Sequence, residues 1–442
     1  MSNTKTEKSQ AAKLQAVKGM NDILPDDAAR WEALEEILRG WLKSYGYRNM
    51  RSPVLEQTAL FARGIGDVTD IVEKEMFCFT DRLNGDELTM RPEFTAGVVR
   101  AAIESNLTYN GAQRVYSMGP VFRHERPQKG RYRQFHQLSV EALGYAGADM
   151  DAELITMLRD LWDELSLNVR LEINTLGVAS ERMAHRAALI EYFEQNKAQL
   201  DEEAQRRLHT NPLRILDTKN PAMQDLVENA PKLIEFLGED SRAHFEQVQR
   251  LLADVGVSFT VNPRLVRGLD YYSHTVFEWI TTDLGAQGTI CGGGRYDGLF
   301  EVLGGKPTPA VGFAIGLERL LLLTQDVLSA QVDVGCDVYV VHQGESASRV
   351  AFGTASHLRQ VGLNVVLHCA GSEGVGSFKS QMKKADAAQA SYALIIGEDE
   401  VNNGTLTIKH LRGNPDEPPT QVTVPSSEAA DWLMGAIAGQ FE

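Results

Sequence analysis

The chain has 442 residues, of which 43% are hydrophobic and 24% charged, and it carries a formal charge of -16. This composition excludes general disorder, and at ~100 to 200 residues per domain the length implies two or three domains rather than one core. The acidic balance excludes broad, non-specific attachment to nucleic acid, so no DNA partner is expected and any RNA contact must be local.

Residues 1–16 read as a flexible polar tail without the apolar centre of a secretory signal, and no apolar run approaches the roughly 18 residues of a membrane span. A cytoplasmic protein without membrane association is therefore expected. The turn Leu24, Pro25, Asp26, Asp27 offers an N-cap for an amphipathic helix with Trp31, Leu34, Leu38, Trp41, Leu42 and Tyr45 on one face, ending near Gly46. Short runs of strand formers follow around Pro53 to Leu55, Met76 to Phe79, Leu88 to Met90, Arg114 to Tyr116 and Phe135 to Leu138. They predict an antiparallel sheet, with a helix near Thr95 to Glu104.

From Asp151 the pattern becomes helical, and after a strand at Val169 to Ile173 a polar, helix-rich stretch runs to about Gly256, which reads as an insertion. Strand character returns at Val257 to Val261, Thr275 to Thr281 and Gly288 to Cys291, and from Gly312 onward Ile315, Leu317, Leu320 and Leu321 begin a helix. Thr324 to Asp337 reads as a linker. Beyond it, strands Val338 to His342, Asn364 to His368 and Tyr392 to Ile396 alternate with helices Ser346 to Val361 and Ser377 to Gln389, predicting a small parallel sheet covered by helices. The one Pro-containing low-complexity tract is Gly413 to Pro419. Cys78, Cys291, Cys336 and Cys369 are far apart, form no CxxC pair, and are expected as buried small hydrophobes in a reducing compartment.

Neither a GxxxxGK phosphate loop nor a GxGxxG fingerprint occurs, since Gly292, Gly293, Gly294 and Arg295 lack the required spacing. HExxH and GxSxG are absent too, and the histidines are too scattered for a ligand cluster, so no protein-held metal is expected. What stands out is Phe122-Arg123-His124-Glu125 leading through a basic loop, with Arg126, Lys129, Gly130, Arg131 and Arg133, to Phe135 and Gln137. Charged hairpin tips are usually solvated surface. Here Arg123 precedes the loop at a strand end, where a fixed guanidinium can grip a phosphate bidentately. Arg267, Gly268, Leu269, Asp270, Tyr271 and Tyr272 alone make only a turn before a strand. In the run Gly312 to Arg319, the cation falls in the first turn of an apolar helix, where the helix dipole opposes it, which favours a ligand role over a stabilising one.

Together these segments resemble the class II aminoacyl-tRNA synthetases, and within them the histidyl-tRNA synthetase family, from about Val17 to the C-terminus. The basic hairpin resembles motif 2 and Gly312 to Arg319 motif 3. The region leading into Pro53 resembles motif 1 at a dimer interface, and Arg267 to Tyr272 the signature of the histidine enzyme. The resemblance implies an α+β catalytic domain with the antiparallel sheet of this class (17–330), interrupted by a helical insertion (about 177–256), and a C-terminal α/β anticodon-binding domain (334–442).

The resemblance further implies an ATP-dependent ligase that joins L-histidine to its tRNA through a histidyl-adenylate, acts as a homodimer, and uses Mg²⁺ with the ATP. Arg123 and Arg267 would be catalytic. ATP would be bound by Arg123, Glu125, Arg131, Phe135 and Arg319, and histidine by Glu93, Thr95, Gln137, Glu141, Arg267, Tyr271 and Tyr272, with Glu141 and Tyr272 on the imidazole. Gln128 to Arg131 is a candidate contact for the 5′ end of the tRNA, and Lys383 and Lys384 for the anticodon. Phe94 departs from the family, which commonly has glycine between the glutamate and the threonine. The rival is a regulatory paralogue of ATP phosphoribosyltransferase, which shares the catalytic fold; such relatives typically lack the C-terminal domain.

Overall fold

The computed structural model describes residues 14–66, 69, 71–128, 130–216, 218–266, 269, 271–284, 288–329, 335–412 and 420–438. Residues 1–13 of the expected tail, Lys129, Arg267, Gly268, Asp270, part of the linker and the tract 413–419 lie outside them. The chain divides into two compact units, Met1–Gln331 and Val332–Glu442.

The first unit opens with helix α1 (Pro25–Ser44), whose Leu34, Leu38, Trp41 and Leu42 are buried. Its cap falls within the expected turn. Leu24 is the N-cap and makes no side-chain bond, while Pro25 starts the helix and Asp26 and Asp27 occupy the first turn, where the positive helix end favours carboxylates. Strands β1 (Arg48–Asn49) and β2 (Leu55–Gln57), helix α2 (Thr58–Ile65), strands β3 (Phe77–Thr80) and β4 (Glu87–Met90), and helix α3 (Thr95–Glu104) come next. They are followed by the long pair β5 (Gln113–Phe122) and β6 (Gln134–Leu143), helix α4 (Ala148–Glu164) and strand β7 (Arg170–Thr175). The helical stretch includes α5 (Ala179–Gln195) and closes with α6 (Glu239–Asp254); then come β8 (Thr260–Val261), β9 (Ser273–Ile280), β10 (Thr289–Arg295), β11 (Ala310–Gly316) and α7 (Leu317–Leu323).

The expected single sheet is two. β2, β4 and β3 form a separate three-stranded antiparallel sheet, and the main sheet has eight strands in the order β1-β5-β6-β11-β10-β9-β7-β8. Its interior pairs are antiparallel, while the two-residue edge strands β1 and β8 pair in parallel with β5 and β7. The strand period of two explains how one sheet builds both a core and a site. On β6, Leu138, Val140 and Ala142 join Val311, Phe313 and Ile315 of β11 in a core with α1 and α4. Gln137, Ser139 and Glu141, and beside them Gly312, Ala314 and Gly316, take the intervening positions. Ile315, expected to start a helix, lies in β11, and the helix begins at Leu317.

The helical stretch packs in two ways. α5 and the short helices after it bury their own cluster, from Leu189 and Phe193 to Val227 and Ala230, whereas Phe245, Val248 and Leu252 of α6 join the main core. α6 is also tied to the sheet by charge. Fully buried Asp151 of α4 accepts from Thr275 Oγ1 at 2.6 Å and from Arg295 Nε at 3.1 Å, and its Oδ2 lies 2.7 Å from His244 Nε2. Burial alone would raise the Asp151 carboxyl, but the His244 and Arg295 contacts overcome that and hold it below the usual carboxylate range. Arg295 donates further to the carbonyls of Tyr145 and Gly147 at 2.7 and 3.0 Å, so this buried pair leaves few polar atoms unmet.

The second unit contains β12 (Val338–His342), α8 (Glu345–Gln360), β13 (Val365–Leu367), α9 (Phe378–Ala387), β14 (Tyr392–Ile396), β15 (Thr405–His410), β16 (Gln421–Pro425) and α10 (Ala429–Ala438). β13, β12 and β14 are parallel as expected, but β15 and β16 extend the sheet antiparallel, so it is mixed. Ala347, Ala351 and Ala355 recur every fourth residue on α8 and let it sit close on Val338 and Val340. The cysteines differ from expectation: Cys291 and Cys336 are buried, but Cys78 and Cys369 are exposed. No helix among the described residues is long and apolar enough to cross a membrane.

Candidate active site

A cavity of about 500 Å³ opens on the face of the main sheet that carries Gln137 and Gly316. Small residues mark this face. Gly312 faces Glu141 across β11 and β6, and a Cβ there would stand 1.9 Å from Glu141 Oε2 and 2.5 Å from the Val140 carbonyl oxygen, so only glycine fits. Ala314 and Gly316 continue the same small face.

Beside the cavity, on the β6 face that carries Gln137, lies the inner end of the site, a buried carboxylate network. Glu93, 4% exposed, caps the first turn of α3: its Oε2 accepts from the Thr95 amide and its Oε1 from the Ala96 amide at 2.9 Å. Burial raises its pKa against those two bonds. Glu141, 1% exposed, accepts from Thr95 Oγ1 and Ser139 Oγ at 2.7 Å each on Oε1, and from the Tyr296 hydroxyl on Oε2. Burial is the largest influence on Glu141 and pushes its carboxyl up to about 7, although all three hydroxyls oppose the rise. Gln137 is nearly buried, lines the cavity, and has an Oε1 with no hydrogen-bond partner, an acceptor waiting for a donor.

The outer end is cationic. Arg123 follows β5 directly; its Nε donates to the Pro92 carbonyl at 3.0 Å and its guanidinium lies 5.3 Å from the centre of the Phe135 ring. Arg319, the third residue of α7, donates from Nη1 to the Thr289 carbonyl at 2.7 Å and from Nε to that of Gly130 at 3.3 Å. The hairpin tip owes its shape to Gly130, whose φ of 72° closes the turn between Gln128 and Arg131. Burial lowers the pKa of both arginines; for Arg319 the nearby charges of Arg131 and Arg123 lower it further. Cations crowded in this way are stabilised by an anion. Arg131 pairs with Glu125.

The structure thus gathers Arg123, Glu125, Arg131, Phe135, Gln137 and Arg319 around one cavity. It joins Glu93, Thr95 and Glu141 in one network. Tyr271 is partly buried within reach of that network, its ring 4.7 Å from Tyr272 and 5.5 Å from Tyr296 by centres. Tyr272 instead packs with Leu176, Leu233, Leu237, Leu265 and Val276 and lines a neighbouring pocket. Arg267 lies outside the described residues. Phe94, the departure at the glutamate–threonine pair, is 2% exposed, and Arg91 stacks 4.3 Å from its ring centre, so its bulk fills core beneath the network.

Sequence reasoning missed four residues here. Ser139 shares a face with Gln137 and Glu141 and was visible through the period of two. Glu318 stood in the motif without a role; both its oxygens accept from the His136 amide, at 2.8 and 2.9 Å, latching α7 to β6. Tyr296 and Lys219, the latter on the cavity wall, had no local signal.

Comparison with known proteins agrees with this geometry. A family model described as histidyl-tRNA synthetase matches residues 19–320, and one described as an anticodon binding domain matches 337–435. The chain is similar to a histidine–tRNA ligase of Bordetella pertussis, 61% identical over 95% of this chain and 98% of that one. A histidine–tRNA ligase of Paraburkholderia phytofirmans is 58% identical over 99% and 98%. Among solved structures, apo histidyl-tRNA synthetase of S. aureus superposes with a TM-score of 0.79 at 32% identity, covering 95% of this chain and all of that one. A catalytic unit with a cationic cavity on its sheet, followed by a mixed-sheet unit matching an anticodon-binding model, makes the chain a member of the histidyl-tRNA synthetase family.

Proposed function

We propose that the chain ligates L-histidine to its tRNA with ATP, releasing AMP and pyrophosphate, and that both chemical steps occur in the cavity on the main sheet. The observation that carries this is the meeting, on one sheet face, of a buried carboxylate network with a cluster of arginines. A histidine carboxylate oxygen attacks the α-phosphorus of ATP, the bond to the bridging oxygen breaks, and pyrophosphate leaves. Two anions must meet, so positioning and positive charge lower the barrier and no general base is needed.

Arg123 and Arg267 serve the α-phosphate and the developing charge, and Arg319 the γ-phosphate, with the purine against Phe135. Glu125 and Arg131 complete the ATP wall. Gln137, Glu93 and Thr95 receive the histidine ammonium, and the unpartnered Gln137 oxygen supports that role. Glu141 and Tyr271 surround the imidazole, with Tyr272 packed against the Tyr271 ring. Mg²⁺ would enter on the nucleotide phosphates, where Glu125 and Glu318, the two carboxylates on the cavity wall, fit the oxygen ligands it takes, and it would neutralise phosphate charge. In the second step the 3′-terminal hydroxyl of the tRNA attacks the adenylate carbonyl, its proton passes to a phosphate oxygen, and AMP departs.

We assign these steps to residues 17–330, with the insertion at about 177–256, and anticodon binding to 334–442. Lys383 and Lys384 lie exposed on α9 opposite buried Gln381 and Ala385, an arrangement that supports an RNA contact. Gln128 to Arg131 is assigned to the 5′ end of the tRNA. A cytoplasmic homodimer completes the proposal. The regulatory alternative has less support, since the chain retains the anticodon-binding match. Pyrophosphate exchange into ATP, run with each of the twenty amino acids, tests the function: exchange should require histidine, and its absence with histidine would refute the proposal.

A further inference from the structure

We propose that Lys219 is a phosphate-binding residue of this site, delivered by the helical insertion to the β- and γ-phosphates of ATP and to departing pyrophosphate. This rests on the adenylation site proposed above. Among the described residues between 177 and 256, Lys219 alone lines the cavity, in company with Arg123, Arg131 and Arg319. It is exposed, and among the described residues it has no hydrogen-bond or ion-pair partner. Neither wall carboxylate is paired with it: Glu318 accepts from the His136 amide and Glu125 pairs with Arg131. A fourth cation in an arginine-lined cavity is repelled while the cavity is empty and rewarded when a polyanion enters.

The backbone around Lys219 is held while its side chain is not. Gln224 Nε2 donates to the carbonyls of Thr218 and Asn220, at 2.9 and 3.1 Å, and so grips the chain on both sides of Lys219. Asn220 Nδ2 donates to Asp201 Oδ2 at 2.9 Å. The Gln224 oxygen in turn accepts from both terminal nitrogens of Arg264, at 3.1 and 3.0 Å, and Arg264 Nε donates to the Leu216 carbonyl at 3.3 Å. Arg264 follows β8, in the chain leading to Arg267, so one guanidinium anchors the insertion loop to the segment bearing the histidine signature. We assign Gln224 and Arg264 as positioning residues.

The place of Lys219 along the nucleotide follows from exposure. Glu141 and Gln137 mark the buried end, where the α-phosphorus must meet the histidine carboxylate, while Lys219 stands at the solvent side through which pyrophosphate leaves. A lysine suits that place, since its compact charge on a flexible stem can follow a phosphate that moves.

The test compares Lys219→Met, Lys219→Arg, Gln224→Ala and Arg319→Ala in pyrophosphate exchange, and in transfer of histidine from preformed adenylate to tRNA. Lys219→Met should raise KM for ATP and for pyrophosphate about tenfold, the size of one charge-assisted hydrogen bond, and leave KM for histidine and the transfer rate unchanged. Lys219→Arg should restore most of the loss, and Gln224→Ala should show the same split more weakly. Unchanged nucleotide and pyrophosphate KM in Lys219→Met overturns the proposal. So does slowed transfer with normal pyrophosphate KM, which would assign Lys219 to the RNA. If Arg319→Ala also leaves the ATP KM unchanged, the adenylation site itself is misplaced; if Arg319→Ala fails and Lys219→Met does not, only the lysine is.

Discussion

At the inner end of the site, the buried network beside the cavity, each oxygen of Glu93 and Glu141 meets a donor of the protein, whereas at the outer end, on the cavity wall, Arg123 and Arg319 are held by backbone carbonyls. A carbonyl fixes a guanidinium without cancelling its charge. The outer end therefore keeps its positive potential for phosphates, while the inner end trades charge for hydrogen-bonding shape. Such a division matches the two recognition problems: triphosphate needs charge, and an imidazole must be told from similar rings by donors and acceptors that an analogue leaves unpaired.

Removing charge from the outer end should have the largest effect. Arg319→Ala should slow adenylation by about 10² to 10³-fold, the scale of losing a fixed donor to developing charge, with histidine binding largely kept. Rapid-quench adenylation and equilibrium histidine binding would show the split; equal losses in both would erase the contrast between the ends.

The inner end should reveal itself through pH. Burial lifts the Glu141 carboxyl from an ordinary 4.5 to about 7, so between those values the folded chain holds a proton that the unfolded chain has released. Its contribution to stability is complete below the lower value and declines as pH rises through the upper one, by on the order of 3 kcal/mol. Glu141→Gln should lack this decline. Denaturation of both proteins at pH 5 and pH 8 (about one unit beyond the window at the upper side) measures it, and parallel pH profiles would mean that Glu141 ionises normally.

The smallest effect tests the one acceptor left open at the junction of the two ends. Gln137→Met should weaken histidine binding about tenfold while stability stays level or rises, because a buried oxygen without a partner disappears. Calorimetric titration with histidine and a melting curve check the two halves; a clear loss of stability would show that Gln137 serves the fold instead.

These ends were unequally legible in the sequence. Arg123 and Arg319 announced themselves by their local placement, one at a strand end before a basic turn and one in a helix first turn, where the dipole opposes a cation. Helix α3 and strands β12 and β14 fell where their patterns placed them. The inner network was harder, because the Tyr296 donor to Glu141 comes from 155 positions away and follows a glycine run that reads only as a failed phosphate loop. The second sheet was illegible for a related reason: β2, β3 and β4 carry the same strand formers as β5 and β6, and pairing is decided by partners, not by propensity. In the C-terminal unit β15 and β16 made the sheet mixed, since two antiparallel strands added at an edge leave no mark on the alternation before them.

The Asp151 linkage bears on how this molecule could be taken apart. His244 belongs by sequence to the helical insertion, but its ring contacts a carboxylate at the base of the sheet, and the apolar face of its helix lies in the main core. A deletion that spliced β7 to β8 would strip one partner from a fully buried acid and open the floor of the sheet. α6 is therefore a structural member of the first unit, although its sequence continues the helical stretch.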